Sequence, residues 1–169
     1  MAIDLTLKSV QITNREAAPR VLNSPQNGSE GVVHETFGHI DAVPAALSAT
    51  SIIRLCQIPS NARVSGVTFY SGAQGAGAVD IGIYQTNDKG GAVVDADLFG
   101  SAVGVTTAVV GTSVLDESGQ FSIPEMAMPL WQVLGLTADP HRAYDVAATV
   151  TTAVTTGLAP LAVRVQYAR

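Results

Sequence analysis

The chain has 169 residues and a formal net charge of −5, and 47% of its residues are hydrophobic although only 5% are aromatic. This apolar content excludes an intrinsically disordered chain, and the length predicts a single domain. Lys8 and Lys89 are the two lysines, so no basic stripe is available to neutralise phosphates, and nucleic acid is not an expected partner.

Cys56 is the single cysteine and lies in an apolar run, which indicates a small core residue in a chain made in a reducing compartment. The first residues, MAIDLTLKSV, lack the basic start and the continuous apolar run of a secretion signal. No window approaches the ~20 consecutive apolar residues of a membrane span. We therefore expect synthesis in a cytoplasm and no membrane partner.

Residues 1–30 differ in character from the rest of the chain. The stretch ITNREAAPRVLNSPQNGSEG has two prolines and two asparagine-containing turn signals but little hydrophobic periodicity, which is typical of an irregular or extended arm. We predict an extended N-terminal arm over residues 1–30 and a single β-sandwich domain over residues 31–169.

From residue 31 onward, apolar and polar residues alternate in several segments. The alternation is clear in SGVTFYSG and VDIGIYQT, and it returns twice near the C-terminus, in AYDVAATV and LAVRVQYA. A period of two residues is typical of half-buried antiparallel strands. The predicted core residues are Val67, Phe69, Ile81, Ile83, Trp131, Val146, Val163 and Val165.

Three segments depart from this alternation. In SIIRLCQIP the apolar side chains fall on both faces, which predicts a central strand covered on both sides. Val94, Leu98 and Phe99 in VVDADLFGSAV have helical spacing, and PEMAMPLWQVLGL places an apolar run around Trp131 before Gly135. We predict a short helix in each of these last two segments.

Turn signals such as PSNA, SGAQGAGA and NDKGG separate the predicted strands. Several short strands at this spacing predict a mainly β fold, an antiparallel β-sandwich with one or two short helices. A jelly roll is the expected form. Another Greek-key arrangement stays open, because strand order is not encoded in the periodicity.

Four aspartates, Asp80, Asp88, Asp95 and Asp97, lie in VDIGIYQTNDKGGAVVDADLFGSAV, where Lys89 is the other charged residue. A calcium loop would need ligands where this stretch has valines, together with a terminal glutamate that is absent. We interpret Asp80 as the solvent side of a strand, Asp88 as part of a hairpin turn, and Asp95 or Asp97 as a helix cap.

The histidines do not predict a metal site. His34 and His39 are five residues apart, so on a strand they face opposite sides, and His141 lies in a turn that contains proline. The sequence has neither a G-x-S-x-G turn nor a phosphate-binding loop. We predict no catalytic residues, metal or cofactor; a cupin-like metal enzyme using His34, Glu35 and His39 is the alternative enzyme class.

Three strings, IIRLCQIPSNARVSGVTFYS, VDIGIYQTNDKGGAVVDADLFGSAV and PLWQVLGLTADPHRAYDVAATV, resemble those of small structural proteins of tailed bacteriophages. That group includes jelly-roll capsid decoration or cementing proteins, and the resemblance covers about residues 51–150. It implies a dimer or trimer on the outside of an icosahedral head, made in the host cytoplasm and bound across the junctions between major capsid subunits. Such a family has no catalytic residues to transfer to this chain.

The arm lies outside the segment that carries this resemblance. Arg15 and Arg20 are its basic residues besides Lys8, and they are the candidate contacts with the capsid. Another virion component, such as a head fibre or a tail module that recognises the host surface, is the alternative function.

Overall fold

The computed structural model describes residues 13, 17–19, 32–44, 47–155 and 158–169. The predicted arm over residues 1–30 therefore lies outside the described residues, apart from 13 and 17–19. The sandwich is built from β1 (Val33–Ile40), β2 (Ile52–Pro59), β3 (Arg63–Ser71), β4 (Ala78–Gln85), β5 (Val93–Gly104), β6 (Val109–Ser113), β7 (Ala143–Thr152) and β8 (Leu161–Ala168). A 3₁₀ turn at Asn87–Lys89 precedes β5, and a second at Glu125–Ala127 precedes the one-turn helix α1 (Leu130–Val133).

The strands form two antiparallel four-stranded sheets, in the orders β1-β8-β3-β6 and β2-β7-β4-β5. The first strand pairs with the last, the second with the seventh, the third with the sixth and the fourth with the fifth. This nesting is that of a long hairpin rolled into two sheets, the jelly-roll topology. The predicted mainly β sandwich is confirmed, and the strand order selects the jelly roll from the Greek-key alternatives.

The core lies between the two sheets and is supplied mainly by their central strands. One period-two face of β3 and of β8 meets one face of β4 and of β7 in a single cluster of buried side chains. The side chains with no exposed surface include seven of those expected from the alternation: Val67, Phe69, Ile81, Ile83, Val146, Val163 and Val165.

Strand β2 is an edge strand, so the prediction of a central strand covered on both sides is wrong. Its pairing with β7 is regular on either side of Leu55, where the register shifts between Arg54 and Cys56. A bulge of this kind changes which face successive residues occupy. The apolar residues of SIIRLCQIP therefore fall on both faces without a second layer to cover them.

At the bulge, β2 lies close to β1, the edge strand of the other sheet. A Cβ atom placed on Gly38 would lie 1.9 Å from the carbonyl oxygen of Leu55 and 2.9 Å from the backbone nitrogen of Cys56. Only glycine allows the two backbones to approach this closely. The absence of a side chain at Gly38 thus closes one side of the sandwich.

The predicted helix over VVDADLFGSAV is also wrong, because these residues belong to β5. Between the pairs Ile81–Gly100 and Ile83–Asp95, β5 contains more residues than β4. The extra residues place Leu98 and Phe99 in the core and interrupt the period of two, which produced the apparent helical spacing.

The second predicted helix is confirmed as α1, but Trp131 does not lie in the core. Leu130 is buried, whereas Trp131 is only partly buried. Successive residues of an α-helix point about 100° apart, so the burial of Leu130 directs Trp131 to the side. Val133 and Leu134, three and four positions after Leu130, pack against the core instead.

We expect Gly38→Ala to destabilise the protein by about 3 kcal/mol, because a Cβ atom there would force apart two backbones that have no flexible side chain to move. Urea unfolding followed by tryptophan fluorescence measures the change. The matched control is Gly104→Ala in β5, where an added Cβ atom meets nothing within 4 Å and the expected change is below ~0.5 kcal/mol. Equal losses for the two variants would contradict the close-approach argument.

Candidate functional site

Arg54 of β2 links three parts of the second sheet. Its Nη1 donates to Asp145 Oδ2 at 2.6 Å and to the Gln85 carbonyl oxygen at 2.7 Å, and its Nη2 donates to the Gly91 carbonyl oxygen at 2.7 Å. The guanidinium carbon lies 5.5 Å from the centre of the Tyr84 ring, within the range of a cation–π contact. One side chain therefore fixes the edge strand to β7 and to the β4–β5 hairpin.

Asp145 is the buried partner in this arrangement, with 8% of its side chain exposed. Gln57 Nε2 donates to its second oxygen, Oδ1, at 2.9 Å, so each carboxylate oxygen has a partner. We call Arg54, Gln57 and Asp145 the polar clamp. A shallow cavity of about 220 Å³ lies beside it, but the clamp's charged groups are bound to one another, and the arrangement is suited to holding strands together.

Cys56 lies next to the polar clamp. Burial raises the pKa of its thiol to about 12, the nearby Asp145 carboxylate acts in the same direction, and a hydrogen bond with Thr36 opposes them. Because the thiolate is the reactive form of cysteine, the position is unsuited to nucleophilic chemistry.

The four aspartates are separated along two strands and a turn. Asp80 of β4 accepts a hydrogen bond from the Ala102 N–H at 2.7 Å, and Asp88 lies in the 3₁₀ turn next to Lys89.

Asp95 and Asp97 lie on β5, so the prediction that either one caps a helix is wrong. Partial burial raises the pKa of Asp95, and the neighbouring Asp97 carboxylate contributes. Among the described residues, no group of three or more His, Cys, Asp or Glu side chains is placed to hold a metal ion.

The two histidines of β1 have separate surroundings. His34 is partly buried and stacks on Tyr167 with 5.5 Å between ring centres, whereas His39 is exposed and stacks on Phe37 at 5.6 Å. Glu35 lies between them in sequence but engages Arg164, with 3.6 Å between its Oε1 and Nε of the arginine. The strand thus directs His34 and His39 to opposite faces.

The turn before β7 brings Asp139 and His141 close to Ser60, the residue that follows β2. Ser60 Oγ donates to Asp139 Oδ1 at 2.5 Å, and His141 Nδ1 lies 3.4 Å from Asp139 Oδ2. The Ser60 hydroxyl is the main cause that lowers the pKa of Asp139. The serine donates a hydrogen bond to a carboxylate and is buried, so this is a turn-stabilising contact rather than a base-activated nucleophile.

The outer face of the second sheet carries an apolar groove of about 510 Å³. Two of its side chains are well exposed, Ile52 at 47% and Val93 at 58%. None of the lining residues carries a charge at neutral pH. We call this surface the apolar groove; it is lined by Ala49, Thr50, Ile52, Tyr84, Val93, Ala96, Thr149, Val150 and Thr151.

The sequence predicted neither the polar clamp nor the apolar groove. An arginine inside SIIRLCQIP and an aspartate inside AYDVAATV were available signals, because a charge within an apolar strand needs a partner. Their pairing depends on the antiparallel alignment of β2 with β7, which periodicity does not reveal. The candidate capsid contacts Arg15 and Arg20 lie outside the described residues.

No protein-family model and no curated protein matches the chain. A chain of a solved structure, the "Cyanophage Pam1 capsid asymmetric unit", has a similar fold, with a TM-score of 0.52 and 18% sequence identity. The similarity covers 90% of this chain and 96% of that one, so the two are of similar length and share one architecture over almost all of it. Within the described part of the chain, no helix has the length and apolar character needed to span a membrane.

We expect Asp145→Ala to destabilise the protein by about 2–3 kcal/mol, because it leaves the Arg54 guanidinium partly buried without its carboxylate. The double variant Arg54→Met/Asp145→Leu is expected to lose less than the sum of its two single changes. Glu35→Ala, which breaks a half-exposed ion pair with Arg164, serves as the control and is expected to cost less than ~1 kcal/mol. Strict additivity in urea unfolding would show that the clamp residues do not act together.

We expect the Cys56 thiol of the folded protein to resist alkylation by iodoacetamide at pH 8.5, because its pKa of about 12 leaves very little thiolate. In 8 M urea the thiol should react at the rate of an ordinary cysteine, and mass spectrometry measures both rates. Raising the pH toward 11 should increase the native rate as the thiolate fraction rises. Equal rates in buffer and in urea would show that the thiol is accessible in the fold.

Proposed function

We propose that this protein is a non-enzymatic structural component of a phage virion, which binds the outer surface of the capsid and stabilises the expanded head. The observation that carries the proposal is the similarity in fold, over 90% of this chain, to a chain of a cyanophage capsid asymmetric unit. The resemblance of the three sequence strings to phage decoration proteins points in the same direction.

The charged groups in the sandwich support a structural role. Arg54 pairs with Asp145, Arg164 with Glu35, and the Ser60 hydroxyl with Asp139, so these groups hold strands and turns of the protein itself. With a net charge of −5, the surface is also unsuited to nucleic acid, and we propose capsid protein and further copies of this chain as the partners.

Exposed apolar side chains give the sandwich surfaces on which partners can bury area. Besides the apolar groove, the outer face of β1 exposes Val33 and Phe37. Apolar exposure that is grouped rather than scattered marks interaction surfaces. An oligomer with several such contacts gains avidity, because the second and third contacts form at a high effective concentration.

Binding to the expanded lattice explains how such a protein would stabilise a head. A protein that binds only the expanded arrangement lowers its free energy by mass action, and the effect grows with occupancy. The site would lie across capsid-subunit junctions, since a protein that contacts two subunits resists their separation. We propose that residues 1–30 extend from the sandwich onto the capsid, with Arg15 and Arg20 as contacts, or onto a neighbouring copy.

The test mixes purified protein with expanded heads that lack it. We expect saturable co-sedimentation and a rise of several degrees in the temperature at which the heads release DNA, because bound protein opposes lattice opening. Unexpanded heads are the control and should bind less. Failure to bind expanded heads would contradict the proposal, and binding to host cells would then favour a receptor-recognition module.

Deletion of residues 2–25 tests the arm separately. The variant should unfold at the same urea concentration as the full chain, since the sandwich begins at Val33, yet it should fail to decorate heads. Full occupancy by the truncated protein would show that the sandwich alone binds the capsid.

A further inference from the structure

Two arginines at one end of the sandwich lack an acidic partner among the described residues. Arg142, just before β7, and Arg169, just after β8, form no ion pair with a carboxylate there. Arg54 and Arg164, in contrast, are each paired with an acidic side chain. Because the chain has 14 acidic residues and only 9 basic ones, two arginines without a carboxylate at one place form an unusual surface.

The two arginines line the same cavity, which has a volume of about 300 Å³. It lies between the turn that follows β2, the residues that lead into β7 and the end of β8. A volume at the lower end of the range for ligand-binding cavities suits one side chain or a small ion. We call this cavity, between Arg142 and Arg169, the arginine pocket.

Arg142 is held in place by a group that carries no charge. Its Nε and Nη2 donate to the Tyr144 hydroxyl at 3.2 and 3.1 Å, and its guanidinium carbon lies 5.0 Å from the centre of the Tyr144 ring. Nε and Nη2 form one edge of the guanidinium. The other end, with the N–H groups of Nη1 and the second N–H of Nη2, is therefore able to donate to two oxygens of one anion.

Asp139 lies in the same lining but pairs with neither arginine. Its Oδ1 accepts hydrogen bonds from the Ser60 hydroxyl at 2.5 Å and from the His141 N–H at 2.9 Å. These two bonds lower the pKa of Asp139, so its carboxylate remains negatively charged. Because this charge repels a doubly charged anion more strongly than a singly charged one, a carboxylate fits the pocket better than a phosphate.

We propose that the arginine pocket binds an aspartate or glutamate side chain of a partner protein, with Arg142 as the bidentate donor and Arg169 as a second cation. A single exposed ionic contact contributes little affinity, so the carboxylate belongs to a partner that also buries other surface, and the pocket fixes its orientation. The proposal deepens the proposed function and rests on it for the identity of that partner, an acidic segment of the capsid.

Titration of the full-length, isotope-labelled protein with sodium acetate tests the pocket without a partner. Heteronuclear NMR follows the arginine Nε–H signals, and sodium chloride at the same ionic strength is the reference. We expect a saturable shift of the Arg142 signal in acetate and a smaller shift for Arg169, while Arg164, which is paired with Glu35, stays unchanged. Equal shifts in acetate and chloride would indicate an adventitious ion only and would overturn the proposal. Inorganic phosphate that binds more tightly than acetate at pH 7 would overturn the choice of a carboxylate.

Three variants define the contact, with the backbone signal of Asn61 in the pocket lining as the readout. Arg142→Gln should weaken acetate binding by about fivefold or more, and Arg169→Gln, at an exposed position, by about twofold. Tyr144→Phe keeps the positive charge but removes the hydroxyl that orients it, so a loss of about two- to threefold is expected. Unchanged acetate binding in folded Arg142→Gln and Tyr144→Phe proteins would overturn the proposal.

Glu30 of the same chain is the other source of a carboxylate. It lies shortly before β1, which begins at Val33 opposite Ala168, the neighbour of Arg169. Glu30→Gln should leave acetate binding unchanged if the pocket awaits a partner. Acetate binding that became about fivefold tighter in this variant would show that the chain fills its own pocket, and it would overturn the assignment to a partner.

Binding to expanded heads identifies the partner. Arg142→Gln should weaken co-sedimentation by about fivefold, whereas Lys89→Gln, which removes an equal charge from the 3₁₀ turn before β5, should not. Equal head binding by Arg142→Gln and the unaltered protein, or an equal loss in both variants, would overturn the assignment of the pocket to the capsid contact. A protein that binds acetate as expected but does not bind heads would retain the carboxylate site and lose the proposed function.

Discussion

Burial of the inner faces of the central strands is the constraint on which the rest of the sandwich depends. Valine is the commonest residue of the core cluster, followed by leucine, so most of the core contacts are made by aliphatic side chains. Aromatic side chains contribute as well, among them Phe99 and Phe121, whose ring centres are 5.6 Å apart. A core of small, β-branched side chains requires the two sheets to approach closely, and Gly38 allows this where β1 meets β2.

The outer face of the second sheet is divided into two parts with opposite character. At the polar clamp, Arg54 and Asp145 are held in a network that reaches the β4–β5 hairpin, and this network fixes an edge strand that has few core side chains of its own. Beside it, Ile52 and Val93 of the apolar groove are well exposed within the described part of the chain. Hydrogen bonds within the chain thus stabilise one part of the face, while the other part exposes hydrocarbon.

Alternation of apolar residues predicted β3, β4, β7 and β8, because a regular strand with one buried face has a period of two. It failed at β2 and β5, where bulges insert residues and shift the period. Trp131 was misplaced for a related reason, since a one-turn helix can direct only part of its surface inward. The polar clamp and the apolar groove depend on which strands are neighbours, and strand order is information that local sequence does not contain.

Two reactive side chains of the sandwich are engaged within the fold, whereas part of its hydrocarbon is exposed. Ser60 donates a hydrogen bond to Asp139, and the Cys56 thiol has a pKa of about 12, so neither side chain is activated as a nucleophile. Removing exposed hydrocarbon such as Ile52 and Val93 from water, in contrast, lowers the free energy of the system. Because the lining of the apolar groove carries no charge, burying this surface would not require a charged group to leave water.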